Sequence, residues 1–330
     1  MSFDLLHAIQ ANLLSPAVLF FVLGVIATLA RSDLKFPEAL YVTLTIYLLT
    51  AIGFKGGVAL AEAGLRAVWL PAMAAMILGA LIPLWTYPVL RFAGKFSPVD
   101  AAAIAAHYGS VSAVTFIAAT NFLKQVGQPY EDYASAFLAV MESPAIVVGI
   151  LLGKRAASGA SGSGIFGDTT RRALHEAAFG RSVLLLVGAL AIGTLCGKRG
   201  LVMTEGFFVT PFQGVLALFL LEMGMVAARR LEDLKKVGPF LLAFGMLAPL
   251  AHGFVGVALG HWAGLSLGGT TLLGVLAASA SYIAAPAAMR LSLPEANPTF
   301  YLTAALAITF PFNITVGIPI YFALARWWNS

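Results

Sequence analysis

Apolar residues in this chain run in long continuous stretches rather than alternating with polar ones, and polar breaks separate the stretches. A helix needs roughly 20 mostly apolar residues to cross the hydrocarbon of a bilayer. By that measure the spans fall at 16–31, 37–54, 66–91, 99–122, 131–153, 181–197, 205–228, 236–262, 268–290 and 298–326. Pro37, Pro98 and Pro298 stand where helices begin, a position where a missing amide proton costs nothing. The absence of alternation excludes strands. The pattern predicts an all-α integral membrane protein of ten transmembrane helices.

One long polar stretch, 154–180, divides the chain near its midpoint. Residues 158–164, rich in Ser, Gly and Ala, read as a flexible linker, and 168–179 as a short surface helix capped by Asp168. The chain is thus expected to consist of a first five-helix repeat (1–153), a linker (154–180) and a second five-helix repeat (181–330). The halves echo one another: Ser279 minus Ser110 and Ser281 minus Ser112 both give 169, as do Pro298 minus Pro129 and Gly193 minus Gly24. Five spans per repeat is odd, so the second repeat enters the membrane inverted, as in many secondary transporters.

Composition agrees. The 330 residues are 60% hydrophobic and 11% charged, against about 45–50% and about 25% for soluble domains. Lipid is therefore the expected surrounding. A net charge of +5 without a dense basic run excludes a nucleic-acid partner. The single Cys196 allows no intrachain disulfide. The charge distribution sets orientation. With the linker in the cytoplasm and both termini outside, inner loops hold 14 of the 20 Lys and Arg residues, among them Arg31, Lys35, Arg91, Lys95, Arg229, Arg230 and Arg290. The expected location is the inner (plasma) membrane, with the first span as the targeting element.

Transport sites in inverted repeats lie near the membrane midplane, where helices break. The matched breaks are His107-Tyr-Gly-Ser-Val-Ser-Ala113 in span 4 and Ala277-Ala-Ser-Ala-Ser-Tyr-Ile-Ala-Ala-Pro286 in span 9. Gly109 eases unwinding, and Pro286 frees a carbonyl. A helix restarting at such a break offers free amides and the positive end of its dipole, and serine hydroxyls add donors. Close helix packing also favours Ser, Gly and Ala; the repetition of the doublet in both halves favours an anion site. Glu142 and Glu222, inside or near the ends of apolar spans, each require a partner, a cavity or an ion. Thr309 and Asn313 offer neutral oxygens suited to sodium. Lys55 reads either as a lysine snorkelling at a helix end or as an anion-attracting group. His107 reads as a satisfied bundle histidine or a proton-coupling group. No His-x-x-x-His metal spacing, phosphate loop or nucleophile elbow points to an enzyme.

The blocks Ala278-Ser-Ala-Ser-Tyr-Ile-Ala-Ala-Pro-Ala-Ala-Met-Arg290, Leu293-Pro-Glu-Ala-Asn-Pro298 and Thr309-Phe-Pro-Phe-Asn-Ile-Thr-Val-Gly-Ile-Pro-Ile320 resemble the cyanobacterial sodium-dependent bicarbonate transporter family. Phe36-Pro-Glu-Ala39, Gly53-Phe-Lys-Gly-Gly57, Gly109-Ser-Val-Ser112 and Met225-Val-Ala-Ala-Arg-Arg230 extend the resemblance over nearly the whole chain. It implies a core domain of spans 3–5 and 8–10, a gate domain of spans 1, 2, 6 and 7, a homotrimer and an elevator-like motion. It implies sodium-coupled uptake of bicarbonate, with no cofactor beyond Na+ as coupling ion and a PII-like cytoplasmic regulator. On this reading bicarbonate meets Gly109, Ser110, Val111, Ser112, Ser279, Ala280, Ser281 and Tyr282. Sodium binding or coupling falls to Ser110, Ser279, Glu142, Thr309, Asn313 and Glu222. Two alternatives stay open: a sodium-coupled symporter of another small anion or carboxylate, and a membrane receptor or scaffold acting through the 154–180 loop.

Overall fold

The computed structural model describes residues 5–158 and 180–329, with Arg172, His175 and Phe179 between them. Those three residues are helical; the rest of the short helix expected over 168–179 lies outside the described residues. Every regular element among the described residues is helical. The helices are α1 (Leu5–Leu13), α2 (Pro16–Leu29), α3 (Glu38–Ala63), α4 (Leu65–Pro88), α5 (Pro98–Gly109), α6 (Ala113–Gln125), α7 (Ser135–Ser158), α8 (Arg181–Phe208), α9 (Phe212–Arg230), α10 (Leu234–Trp262), α11 (Leu267–Ala278), α12 (Ala284–Ser292) and α13 (Pro298–Trp328). Seven helices among the described residues are long and apolar enough to cross a membrane, or eight if the bent pair α1–α2 is one span. One of the seven is the 51-residue run Phe212–Trp262, in which a 3-10 turn at Leu231–Asp233 separates α9 from α10 and Gly238 (φ 76°) kinks α10 near its start. A straight helix of that length would measure about 77 Å, over twice the roughly 30 Å of bilayer hydrocarbon.

Three boundaries differ from the sequence reading. A helix, α1, precedes the first expected span and meets α2 at a 58° bend, where Ser15 caps α2. It is pinned by Asn12, whose amide donates to the carbonyls of Ile314 (2.7 Å) and Thr315 (2.9 Å). Those carbonyls are reachable because α13 winds into wide π-type turns at Thr303–Thr309 and Asn313–Gly317. Second, α3 continues to Ala63 rather than ending near Gly-Phe-Lys-Gly-Gly57. Its glycines serve close approach, since a Cβ at Gly57 would fall on the Leu190 carbonyl. Third, α8 kinks at Gly197 (φ 57°), where the expected span ends, and a further helical stretch beyond the kink reaches Phe208, so residues 205–208 belong to it and not to the following span.

The glycines organise two helix pairs in the same way. In α2 and α9, a Cβ at Gly24 would strike the Leu221 carbonyl and one at Gly224 the Phe21 carbonyl. In α8 and α3, Gly193 meets the Phe54 carbonyl and Gly57 the Leu190 carbonyl. Each pair therefore crosses with backbones in contact, through one glycine from each helix. Elsewhere α7 packs on α4 and α5, and α10 on α11. Two caps share the same offset: Ser97 accepts from the Asp100 amide at the start of α5, and Ser266 from the Gly269 amide at the start of α11. Here again 266 minus 97 is 169.

Candidate functional site

Helices α5 and α11 each have 12 residues, about 18 Å at 1.5 Å per residue. That is a little over half the hydrocarbon thickness, so neither helix is long enough to cross a bilayer alone. Both stop at a serine in extended conformation: Ser110 (φ −78°, ψ 162°) and Ser279 (φ −83°, ψ 164°). Gly109, the last residue of α5, is required by close approach to Pro83, because a Cβ there would strike that ring. Pro286 lies in the first turn of α12, where no helical amide is needed, so the break itself occupies 279–283.

The two breaks hold each other. The Ser112 amide donates to Ser279 Oγ (2.9 Å), while the Ser279 hydroxyl donates to the Leu276 carbonyl (2.8 Å). The Ser281 amide donates to the His107 carbonyl (2.8 Å). The second serine of each doublet caps the restarting helix: Ser112 Oγ accepts from the Thr115 amide, and Ser281 Oγ from the Ala285 amide. Orphaned helix-end groups are thereby largely satisfied across the halves, which is what permits irregular backbone deep inside the protein.

A small cavity of about 20 Å³ opens beside this knot, lined by Val111, Ser112, Glu142, Ser182, Ser281 and Tyr282 among others. That is room for one water-sized occupant. Glu142, 7% exposed, is its carboxylate. A larger vestibule of about 460 Å³ shares Ser182, Tyr282 and Ile283 with it and carries Arg181 and Arg290. A third cavity, about 310 Å³, carries Glu222, Arg229, Tyr41 and, again, Tyr282. Tyr282 thus stands on the wall of all three. Its hydroxyl neighbours Ser112 and makes no well-formed hydrogen bond. Glu222, 5% exposed, has Arg229 at 3.8 Å from Oε1, while its Oε2 has no hydrogen-bond partner.

The sequence-expected residues therefore divide into groups. Val111, Ser112, Ser281, Tyr282 and Glu142 meet at one cavity, and Ser279 braces it. Glu222 lies in the adjoining cavity. Gly109, Ser110 and Ala280 are buried behind the wall, and the Ser110 hydroxyl has no partner. Thr309 and Asn313 form a supporting layer. Tyr108 and Thr309 hydroxyls lie 2.7 Å apart, and Thr309 donates to the Gly245 carbonyl (2.7 Å). The Asn313 amide donates to the Ala278 carbonyl at the end of α11 (2.8 Å), and its oxygen accepts from Tyr321 (2.8 Å). His107 is buried, stacks on Tyr301 (4.3 Å) and donates from Nδ1 to the Ala103 carbonyl (2.6 Å), leaving Nε2 bare. Sequence reasoning missed Ser182, Tyr41 and the paired arginines of the vestibule. Arg181 and Arg290 were legible only as loop charges, since nothing local brings the start of α8 to the end of α12.

This donor set is oxygen-rich and holds one carboxylate, which suits a hard monovalent cation. Two helix N-termini, α6 and α12, open on the same cavities and suit an anion. No curated protein matches the chain. The model of a family described as the Na+-dependent bicarbonate transporter superfamily matches residues 16–326.

Proposed function

The chain belongs to the Na+-dependent bicarbonate transporter superfamily, and from that premise we propose that it carries bicarbonate inward together with sodium through the cavity between its two helix breaks. It is a multi-pass membrane transporter and not an enzyme. The observation that carries the reading is the pair of reciprocal ties between the breaks, Ser112 amide to Ser279 and Ser281 amide to the His107 carbonyl, beside the buried Glu142. Sodium fits the 20 Å³ cavity, with Glu142, Ser112 and Ser281 as oxygen donors. Bicarbonate is larger and meets the first turns of α6 and α12, reached through the vestibule with Arg181 and Arg290. Coupling has a simple electrical rationale. A monovalent anion entering a negative cell climbs about 2.3 kcal/mol per 100 mV, and one accompanying cation cancels that cost.

The reading includes ten spans in two inverted repeats, with α2, α3, α8 and α9 as a gate and the remaining spans as a moving core. Support comes from features related by the 169-residue offset: the serine caps, the extended serines at both breaks and the crossing glycines Gly24 and Gly193. It also places both termini outside, with the vestibule facing the cytoplasm in a homotrimer. A PII-like regulator would meet the linker, which lies mostly outside the described residues. The vestibule arginines would draw other small anions as well, so competition by short carboxylates measures selectivity. The scaffold reading is not favoured, since the family match runs through both halves.

Radiolabelled bicarbonate uptake into proteoliposomes, with and without an inward sodium gradient, tests the proposal. Accumulation that requires sodium is expected. Folded protein that accumulates none, or accumulates equally without sodium, would overturn it.

A further inference from the structure

At the end of the bundle opposite the vestibule, a cavity of about 40 Å³ lies where α3 and the start of α9 face α6 and the start of α7. Its polar wall consists of Lys55, Thr120, Lys124, Tyr130, Asp132 and Ser135. Lys55 stands eight residues before the end of α3 at Ala63, about 12 Å along the helix. A lysine at such depth needs a partner, a cavity or an ion. Its ammonium lies 5.1 Å from the centre of the Phe212 ring and forms no ion pair among the described residues. Ser135 is 3% exposed and its hydroxyl has no hydrogen-bond partner. Two lysines against one aspartate leave one positive charge in excess, beside an unused hydroxyl.

The position also has a counterpart. Lys55 precedes Gly57 by two residues, and Glu222 precedes Gly224 by two, where Gly57 and Gly224 are matching members of the two glycine crossings. Related positions at opposite ends of the bundle thus carry opposite charges, each on a cavity wall.

We propose that Lys55, with Lys124 and the Ser135 hydroxyl, forms a capture site for a small monovalent oxyanion at the mouth opposite the arginine vestibule. The site rests on the transport reading above and adds an entry step to it. An anion is held at Lys55 before the core presents its serine break to that mouth.

The test is sided flux of bicarbonate at saturating sodium, with protein in proteoliposomes of uniform orientation. Lys55→Met is expected to raise the half-saturation about tenfold for entry at the Lys55 mouth, the size of effect one close charge gives near a protein surface. Half-saturation for entry at the vestibule should stay within about twofold, and Lys55→Arg should recover most of the loss. Equal effects at both mouths, or none at either, would overturn the site. To separate charge from folding, Lys55→Cys is made with Cys196→Ser, since Cys196 is exposed. A thiol reagent adding an ethylammonium group should restore the low half-saturation, and one adding a methyl group should not. Restoration by both, or by neither, counts against the proposal. Wild-type protein that moves no bicarbonate would overturn the transport reading and this site together. Wild-type flux indifferent to Lys55→Met would overturn this site alone.

Discussion

Glu142 and the serines around it carry different burdens, and the difference can be measured. A buried carboxylate with no basic side chain on its cavity wall needs a cation or a proton, and the 20 Å³ beside it admits one small occupant. Glu142→Gln is therefore expected to raise the sodium half-saturation of uptake about tenfold, equivalent to about 1.4 kcal/mol. The bicarbonate half-saturation at saturating sodium should shift by less than about twofold, and sodium titrations of flux check both; equal shifts in the two would make the residue structural. Ser279 and Ser110 separate in another way. Ser279 accepts the buried Ser112 amide, so Ser279→Ala leaves that donor unpaired at about 1–3 kcal/mol. A lower midpoint of thermal unfolding should accompany its weakened bicarbonate uptake. The Ser110 hydroxyl has no protein partner to lose. If the transported ions reach Ser110 when the cavity opens, Ser110→Ala weakens uptake with the unfolding midpoint held; unchanged uptake would keep Ser110 behind the wall and out of the site.

The helices α2, α3, α8 and α9 depend on glycine where their backbones touch. A Cβ at Gly224 would fall on the Phe21 carbonyl, a backbone atom that cannot rotate away. Gly224→Ala must force α2 and α9 apart, at about 1–3 kcal/mol, the usual cost of overpacking. Nothing lies within 4 Å of a Cβ at Gly214 on the same helix. Gly214→Ala should leave the midpoint at or slightly above the wild-type value, because alanine is the better helix former; thermal unfolding in detergent compares the two. These glycines also show what the sequence could and could not convey. The 169-residue offset already linked Gly24 to Gly193 and the two serine doublets, as a proposed repeat would through its constant register. Both mid-span breaks were legible for the same reason. The end of α3 was not, because Gly56 and Gly57 resemble a helix terminus unless the opposing Leu190 carbonyl is known. Helix α1 escaped for a related reason: it is short, and Asn12 holds it to carbonyls 302 and 303 residues away. The vestibule arginines belong to the same class, since side chains from the start of α8 and the end of α12 converge only through tertiary packing.

If the chain works as two bodies, the contacts within each should be tight and those between them yielding. Within the proposed core, Glu131 before α7 accepts from the amide (2.6 Å) and hydroxyl (2.9 Å) of Ser266 at the start of α11. At the other end Asp100 of α5 accepts from the Asn297 amide ahead of α13 (2.7 Å). These ties join the two halves at opposite ends of the core, so α5 and α11 travel together with their breaks. Within the gate, the glycine crossings do the equivalent work. Cavities collect on the boundary between the bodies: Tyr41 and Glu222 of the gate face Tyr282 of the core at one end, and Lys55 faces Lys124 and Ser135 at the other. A covalent tie across that boundary should therefore stop transport while leaving both bodies folded. Gly56 of α3 and Ser135 of α7 are suitably placed, since a Cβ at Gly56 would lie 3.0 Å from the Ser135 Cβ. Disulfides hold their Cβ atoms about 3.5–4.5 Å apart, so the helices need separate by only about half an ångström. Gly56→Cys with Ser135→Cys, on a Cys196→Ser background, is expected to lose sodium-driven bicarbonate uptake on oxidation and regain it on reduction. Each single cysteine variant should be indifferent to oxidant. Full uptake by the oxidised double variant, with the disulfide verified by mass spectrometry, would mean that the two bodies do not move past one another at this contact. Transport would then have to proceed by opening and closing around a fixed core.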